Sequence, residues 1–118
     1  MNKRQIGTDK ENIAITYLNK NGIQIIDKNF GYHRSGEIDI IGMDNEYLVF
    51  FEVKYRKTAS AGYAAEAVDF KKISRICRTA DYYIMTHGIQ DNHSVRFDII
   101  AIDGNNISWI KNAFDYAL

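Results

Sequence analysis

The chain has 118 residues, enough for one domain around one core, and its 46% hydrophobic and 25% charged composition is that of a globular protein. Fifteen bases balance fifteen acids, so no global basic field marks a nucleic-acid binder. No run approaches the roughly 18 apolar residues of a membrane span, "MNKRQIGTDKEN" is too polar for a signal peptide, and the single cysteine, Cys77, has no disulfide partner, so a reduced, cytoplasmic location is expected.

Ile6, Ile13, Tyr17 and Leu18 recur with helical spacing and predict a first helix over residues 5–20, ended near Gly22. "IQIID" (23–27) reads as a short strand and "KNFGYHRSG" (28–36) as a polar loop. "EIDIIGM" and "EYLVFFEVK" are rich in β-branched and aromatic residues and form a predicted hairpin around Asn45. The second of them is nearly continuous in apolar content around "LVFFEV", as expected of a central strand covered on both faces. A small-residue loop, "KTASAGYAA", leads to the longest predicted helix, 64–86. Its stripe is Ala67, Phe70, Ile73, Ile76, Cys77, Ala80, Tyr83 and Ile84. "SVRFDIIAID", the turn "GNN" and "ISWI" complete a second strand pair, followed by a short terminal helix. The order α-β-β-β-α-β-β predicts an α/β fold, a mixed central sheet flanked by helices in one domain over 1–118.

Two charges interrupt the most apolar run, Glu52 and Lys54 in "FFEVK". Side chains alternate across a strand, so both lie on one face. A hairpin turning at Asn45-Glu46 places Asp39 opposite Glu52, with Cβ atoms within roughly 5 Å. Two facing carboxylates repel unless a positive group sits between them, and oxygen ligands at this density suit Mg²⁺ or Mn²⁺ better than zinc. With Lys54 beside them they make a minimal phosphodiester-cleaving set. A one-residue slip of register would separate the two acids. From spacing alone a second reading stands beside the first: a Glu52–Lys54 ion pair at a strand end, with Asp39 solvated. Segment 54–78 holds seven bases against two acids, a net of +5, which is either a basic patch or an ordinary solvated helix face. Arg96 and Asp98 read as a structural pair on a half-buried strand. Trp109, Tyr82 and Tyr83 read as packing groups, and His33, His87 and His93 lack metal-ligand spacing.

"GEIDII" followed by "LVFFEVKYRK" matches the D-x(n)-E-x-K signature of the PD-(D/E)XK nuclease superfamily. More closely, the chain resembles the small bacterial YraN-type family, itself similar to archaeal Holliday junction resolvases. The resemblance runs nearly end to end: Gly7, Glu11, Ala14, Tyr17 and Leu18; Gly36-Glu37-Ile38-Asp39; Val49 to Lys54 with Arg56; Ala67-Val68 with Lys72 and Arg75; and Arg96-Phe97-Asp98. It implies a restriction-endonuclease-like fold and a metal-dependent DNA endonuclease. Asp39 and Glu52 would be the metal ligands, with the Val53 carbonyl and Glu11 as further donors, and Lys54 the catalytic lysine. Arg34, Arg56, Lys57, Lys72 and Arg75 would contact DNA phosphates, and these contacts position rather than specify. It further implies a branched DNA substrate and a homodimer. The alternative is a catalytically silent nuclease-fold module that binds DNA or a protein within a DNA-processing assembly. Ile38 stands where the superfamily has proline. The loop "NFGYHRSG" is one residue longer than the usual form and lacks an arginine near Gly31 or Tyr32, leaving Arg34 for that role.

Overall fold

The computed structural model describes residues 3–32, 36–56, 69–90 and 92–115. Its elements are α1 (Lys3–Lys20), β1 (Gln24–Gly31), β2 (Glu37–Asp44), β3 (Tyr47–Arg56), α2 (Phe70–Thr86), β4 (Val95–Asp103) and β5 (Asn106–Ile110), in the order expected. The five strands form one mixed sheet in spatial order β1-β2-β3-β4-β5. Only β3 and β4 run parallel, so the chain must cross the sheet between them, and α2 lies in that crossover.

β3 is the middle strand, as its apolar run foretells, and Leu48 to Glu52 are all buried. Its side chains feed two cores. Leu48 and Phe50 pack with Ile41, Phe97 and the α2 residues Ile76, Cys77, Ala80 and Tyr83. Val49 and Phe51 pack with Ile40, Ile100, Ile102 and the α1 residues Ala14 and Leu18. Burying each large apolar side chain contributes about 1.5–3 kcal/mol, so the two faces together hold both helices on the sheet.

The hairpin turns at Asn45-Glu46, with Asn45 in the left-handed region (φ 55°) and Asp44 paired with Tyr47. α1 closes through Gly22 (φ 86°), with the Ile23 N–H donating to the Leu18 carbonyl at 3.0 Å. Gly42 is needed for space rather than for φ. A Cβ there would lie 2.8 Å from Ile23 Cγ2 and 3.0 Å from the Gln24 carbonyl oxygen. Gly42→Ala is therefore expected to cost about 1–3 kcal/mol by overpacking. Urea denaturation measures this, and an unchanged midpoint would mean that β1 yields freely.

Several local expectations are corrected. β1 does not end at Asp27 but runs to Gly31, because Phe30 pairs with Ile38 and sets its ring against Tyr83, 4.9 Å between centroids. Asp69 is extended (ψ 176°) and its carboxylate accepts from the Lys72 N–H, so it caps α2 at Phe70, and residues 64–68 of the expected helix lie outside the described residues. Residues 57–68, including Lys57 and Ala67, lie outside the described residues. Phe70, placed on the core stripe, is 73% exposed in the first turn, and Ile13 is 40% exposed. Residues 111–115 form turns rather than a helix, because Asn112 is left-handed (φ 52°) and its N–H is tied to Asp98 Oδ1 at 2.9 Å.

Candidate functional site

The β2–β3 ladder runs from Asp44–Tyr47 to Ile40–Phe51. One step further, where the register sets Asp39 against Glu52, Asp39 Oδ2 accepts the Val53 N–H at 2.8 Å. A side chain thus takes a donor that a strand carbonyl would otherwise take. It anchors Asp39 where the β2–β3 ladder ends. Glu52 and Lys54 continue the face on which Phe50 packs against α2. Lys72 reaches back from α2, and its Nζ lies 3.3 Å from Glu52 Oε1, while Lys54 Nζ lies 3.5 Å from the same oxygen. Glu52 is only 4% exposed. Its other oxygen, Oε2, is buried with no hydrogen-bond partner among the described residues. An unmatched buried carboxylate oxygen is costly and calls for a ligand.

The electrostatics point the same way. Burial, then the neighbouring Glu52 charge, push the Asp39 carboxyl up to about 8, and the Val53 N–H offsets only part of this. Burial and Glu37 also raise Glu11. With its amide nitrogen turned toward them, Asn29 donates to Glu11 Oε1 at 2.8 Å and to Glu37 Oε1 at 3.0 Å. Glu37 thus shares Asn29 with Glu11 beside the site.

A testable pH dependence follows for the metal-free protein. Asp39 keeps its proton when folded up to about 8, whereas the unfolded carboxyl releases it near 3.8. Over that interval the folded state binds more protons, so stability falls as pH rises. Urea unfolding in chelator across this interval should show the fall, and Asp39→Asn should flatten it. Equal slopes for the two proteins would contradict the raised carboxyl.

The expected residues divide clearly. Asp39, Glu52 and Lys54 converge, and the Val53 backbone is held beside them. Glu11 comes close enough for its charge to act on Asp39, but among the described residues no three His, Cys, Asp or Glu side chains gather as a metal-binding cluster. Lys72 proves to be a partner of Glu52 rather than a free helix cation. Arg75 is exposed and lines a small cavity of about 50 Å³ with Gly36, Glu37, Lys72 and Ile76. Arg56 is half-buried at the end of β3, and Arg34 and Lys57 lie outside the described residues. Sequence reasoning missed Asn29. Its signal was an asparagine at a strand end, where a left-handed residue (φ 52°) is tolerated.

A divalent cation fits this donor set. Two neighbouring carboxylates, Asp39 and Glu52, a Glu52 oxygen without a partner among the described residues and the backbone carbonyl of Val53 are hard oxygen donors. Two side-chain ligands suffice for Mg²⁺, which keeps several of its waters.

Residues 10–102 match the model of a family described as "Uncharacterised protein family UPF0102". A UPF0102 protein of Fusobacterium nucleatum is 43% identical over 112 residues, covering 95% of this chain and 92% of the relative. Another, from Lachnoclostridium phytofermentans, is 43% identical over 115 residues, covering 98% and 97%. A third, from Persephonella marina, is 44% identical over 109 residues, covering 92% of each. The match spans both strands of the carboxylate hairpin and the α2 lysine, and the chain belongs to the UPF0102 family.

Proposed function

We propose that this protein is a Mg²⁺- or Mn²⁺-dependent endonuclease of the PD-(D/E)XK type that hydrolyses DNA phosphodiester bonds. One observation carries the reading: Asp39 and Glu52 meet at the end of the β2–β3 ladder with Lys54 beside them, and Glu52 Oε2 is left buried and unmatched. Asp39, Glu52 and the Val53 carbonyl would hold the cation, with Glu11 behind them. The cation would polarise a phosphoryl oxygen and make a water acidic enough to attack at neutral pH. Lys54 orients that water or offsets the charge that develops on the phosphate. Lys72 holds the Glu52 carboxylate in place from the helix side. Arg75 and Arg56 would contact phosphates, and such contacts fix position without reading sequence. The family resemblance extends the proposal to branched DNA, a cytoplasmic setting and a homodimer with paired sites, as analogy.

The test is incubation with branched, flapped, single-stranded and duplex DNA plus Mn²⁺, beside Glu52→Ala and Lys54→Ala. Cleavage that survives both substitutions would remove this site from the reaction. A second reading has its own observation: two lysines already sit on Glu52 Oε1, a self-neutralised arrangement that suits a silent binding module. Intact DNA binding with no cleavage of any of these substrates would favour it.

A further inference from the structure

Beside the carboxylate site, α2 carries a second arrangement. A cavity of about 500 Å³ is lined by Tyr32, Arg78, Asp81, Tyr82, Ile84, Met85 and Ile89. Tyr32 and Tyr82 stack on its wall, 4.0 Å between ring centroids at 22°, and Tyr82 lies over Phe30 at 6.1 Å and 29°. Met85 is 70% exposed at its mouth. Arg75 and Arg78 are exposed, and neither has a carboxylate at ion-pair distance among the described residues.

The cavity lies further along α2 from the site. Lys72 touches Glu52, Arg75 lies one turn on, and Arg78 stands at the aromatic cavity. Gly36 and Glu37 line the small cavity between, and the Tyr32 N–H donates to the Gly36 carbonyl at 3.4 Å. Ten helical residues separate Lys72 from Tyr82, about 15 Å at 1.5 Å per residue. That is the reach of a few nucleotides.

Unpartnered arginines beside stacked aromatic rings are the chemistry that holds single-stranded nucleic acid. Charge follows the backbone, and every base has a face to stack. A duplex keeps its bases inside and cannot offer one to a cavity. The base is the part that can stack, and the phosphates remain with Arg75 and Arg78, which follow the backbone. We propose that the Tyr32–Tyr82 cavity is a subsite for an unpaired base of single-stranded DNA, led there from the carboxylate site by Arg75 and Arg78. This rests on the nuclease reading for the direction of the strand, and it makes the substrate class DNA with unpaired character.

The test is binding in chelator, where cleavage plays no part. A fluorescein-labelled oligothymidylate and a blunt duplex of equal length are titrated by anisotropy against the wild type, Tyr32→Ala, Tyr32→Trp and Arg78→Ala. Tyr32→Ala should weaken the single strand between about fivefold and a hundredfold, as for loss of one stacked base, and change duplex binding little. Tyr32→Trp should restore single-strand affinity, and this variant keeps the ring should Tyr32→Ala fail to fold. Arg78→Ala should weaken the single strand and reduce its salt dependence. Equal single-strand affinity in wild type and Tyr32→Ala, or an equal loss for single strand and duplex, would overturn the subsite. The two readings fail separately. Selective single-strand loss without cleavage by the wild type retires the nuclease and keeps the cavity. Cleavage with unselective binding does the reverse.

Discussion

Glu52→Gln is expected to lower DNA cleavage by on the order of 10³-fold, comparable to removing one preorganised charge-stabilising group from an active site. The substitution is nearly isosteric, so the side chain still fills its buried place below Phe50 and beside Lys54. What it removes is the negative charge, and with it a hard anionic donor for a cation. Lys54→Ala should give a loss of similar order, because it deletes an ammonium 3.5 Å from the Glu52 carboxylate, on the same strand. The two losses should not add, since both remove parts of one constellation. Single-turnover cleavage across a Mn²⁺ titration separates the roles. Glu52→Gln should shift the metal dependence to higher concentration, whereas Lys54→Ala should lower the plateau with little shift. A plateau and metal dependence unchanged in Glu52→Gln would place the chemistry elsewhere.

Asp98→Ala is expected to destabilise the fold by about 3–5 kcal/mol, the cost of breaking a buried ion pair by removing one partner. Asp98 is fully buried and is the acceptor for a whole corner of the molecule. Arg96 donates to it from Nε (2.9 Å) and Nη2 (2.9 Å), Trp109 from Nε1 (2.8 Å) and Asn112 from its backbone N–H (2.9 Å). Arg96 Nη2 also reaches Asp44 at 2.8 Å, so the same guanidinium ties the hairpin turn to β4. The hydrogen bond to Asp98 raises the Arg96 pKa, and its charge persists through any ordinary pH range. Removal of Asp98 therefore strands a permanent cation, an indole N–H and a backbone N–H together. Against the 5–15 kcal/mol of a typical domain, such a loss leaves little margin. Chemical denaturation reads the effect, and a change under 1 kcal/mol would show that water enters and replaces the carboxylate. Asp98 pairs with Phe51, one step from Glu52 along β3, and so lies on the opposite face of the sheet from Glu52; the remaining folded fraction should keep whatever metal dependence the protein has.

The hairpin register shows how much a sequence can carry. Asn45-Glu46 was legible as a turn and the two flanking runs as strands, and the sum rule of an antiparallel ladder pointed Asp39 toward Glu52, one step beyond Ile40–Phe51, where the ladder itself ends. Leu48 to Phe51 were legible as a central strand because only a strand covered on both faces tolerates such a run. The Arg96–Asp98 pair followed from period-two spacing alone. Phe70 failed because it opens α2, where a terminal turn is covered only if something packs there, and Ile13 failed because recurrence gives a face and not its edges: mid-helix in α1, it is still 40% exposed. β1 was cut short for a related reason: "NFG" is polar and turn-like by composition, yet pairing with β2 overrides that local preference.

By itself the sequence determined the element order, the central strand, the hairpin and the meeting of Asp39 with Glu52, because strand period and turn chemistry act over short separations. Only the tertiary structure decided that Lys72 closes on Glu52 from the crossover helix, that Asn29 joins Glu11 to Glu37, and that Tyr32 meets Tyr82 over an open cavity. These contacts join residues 8 to 50 positions apart, on different elements. No local pattern encodes such distances, because they depend on how helix and sheet pack once the two cores have closed.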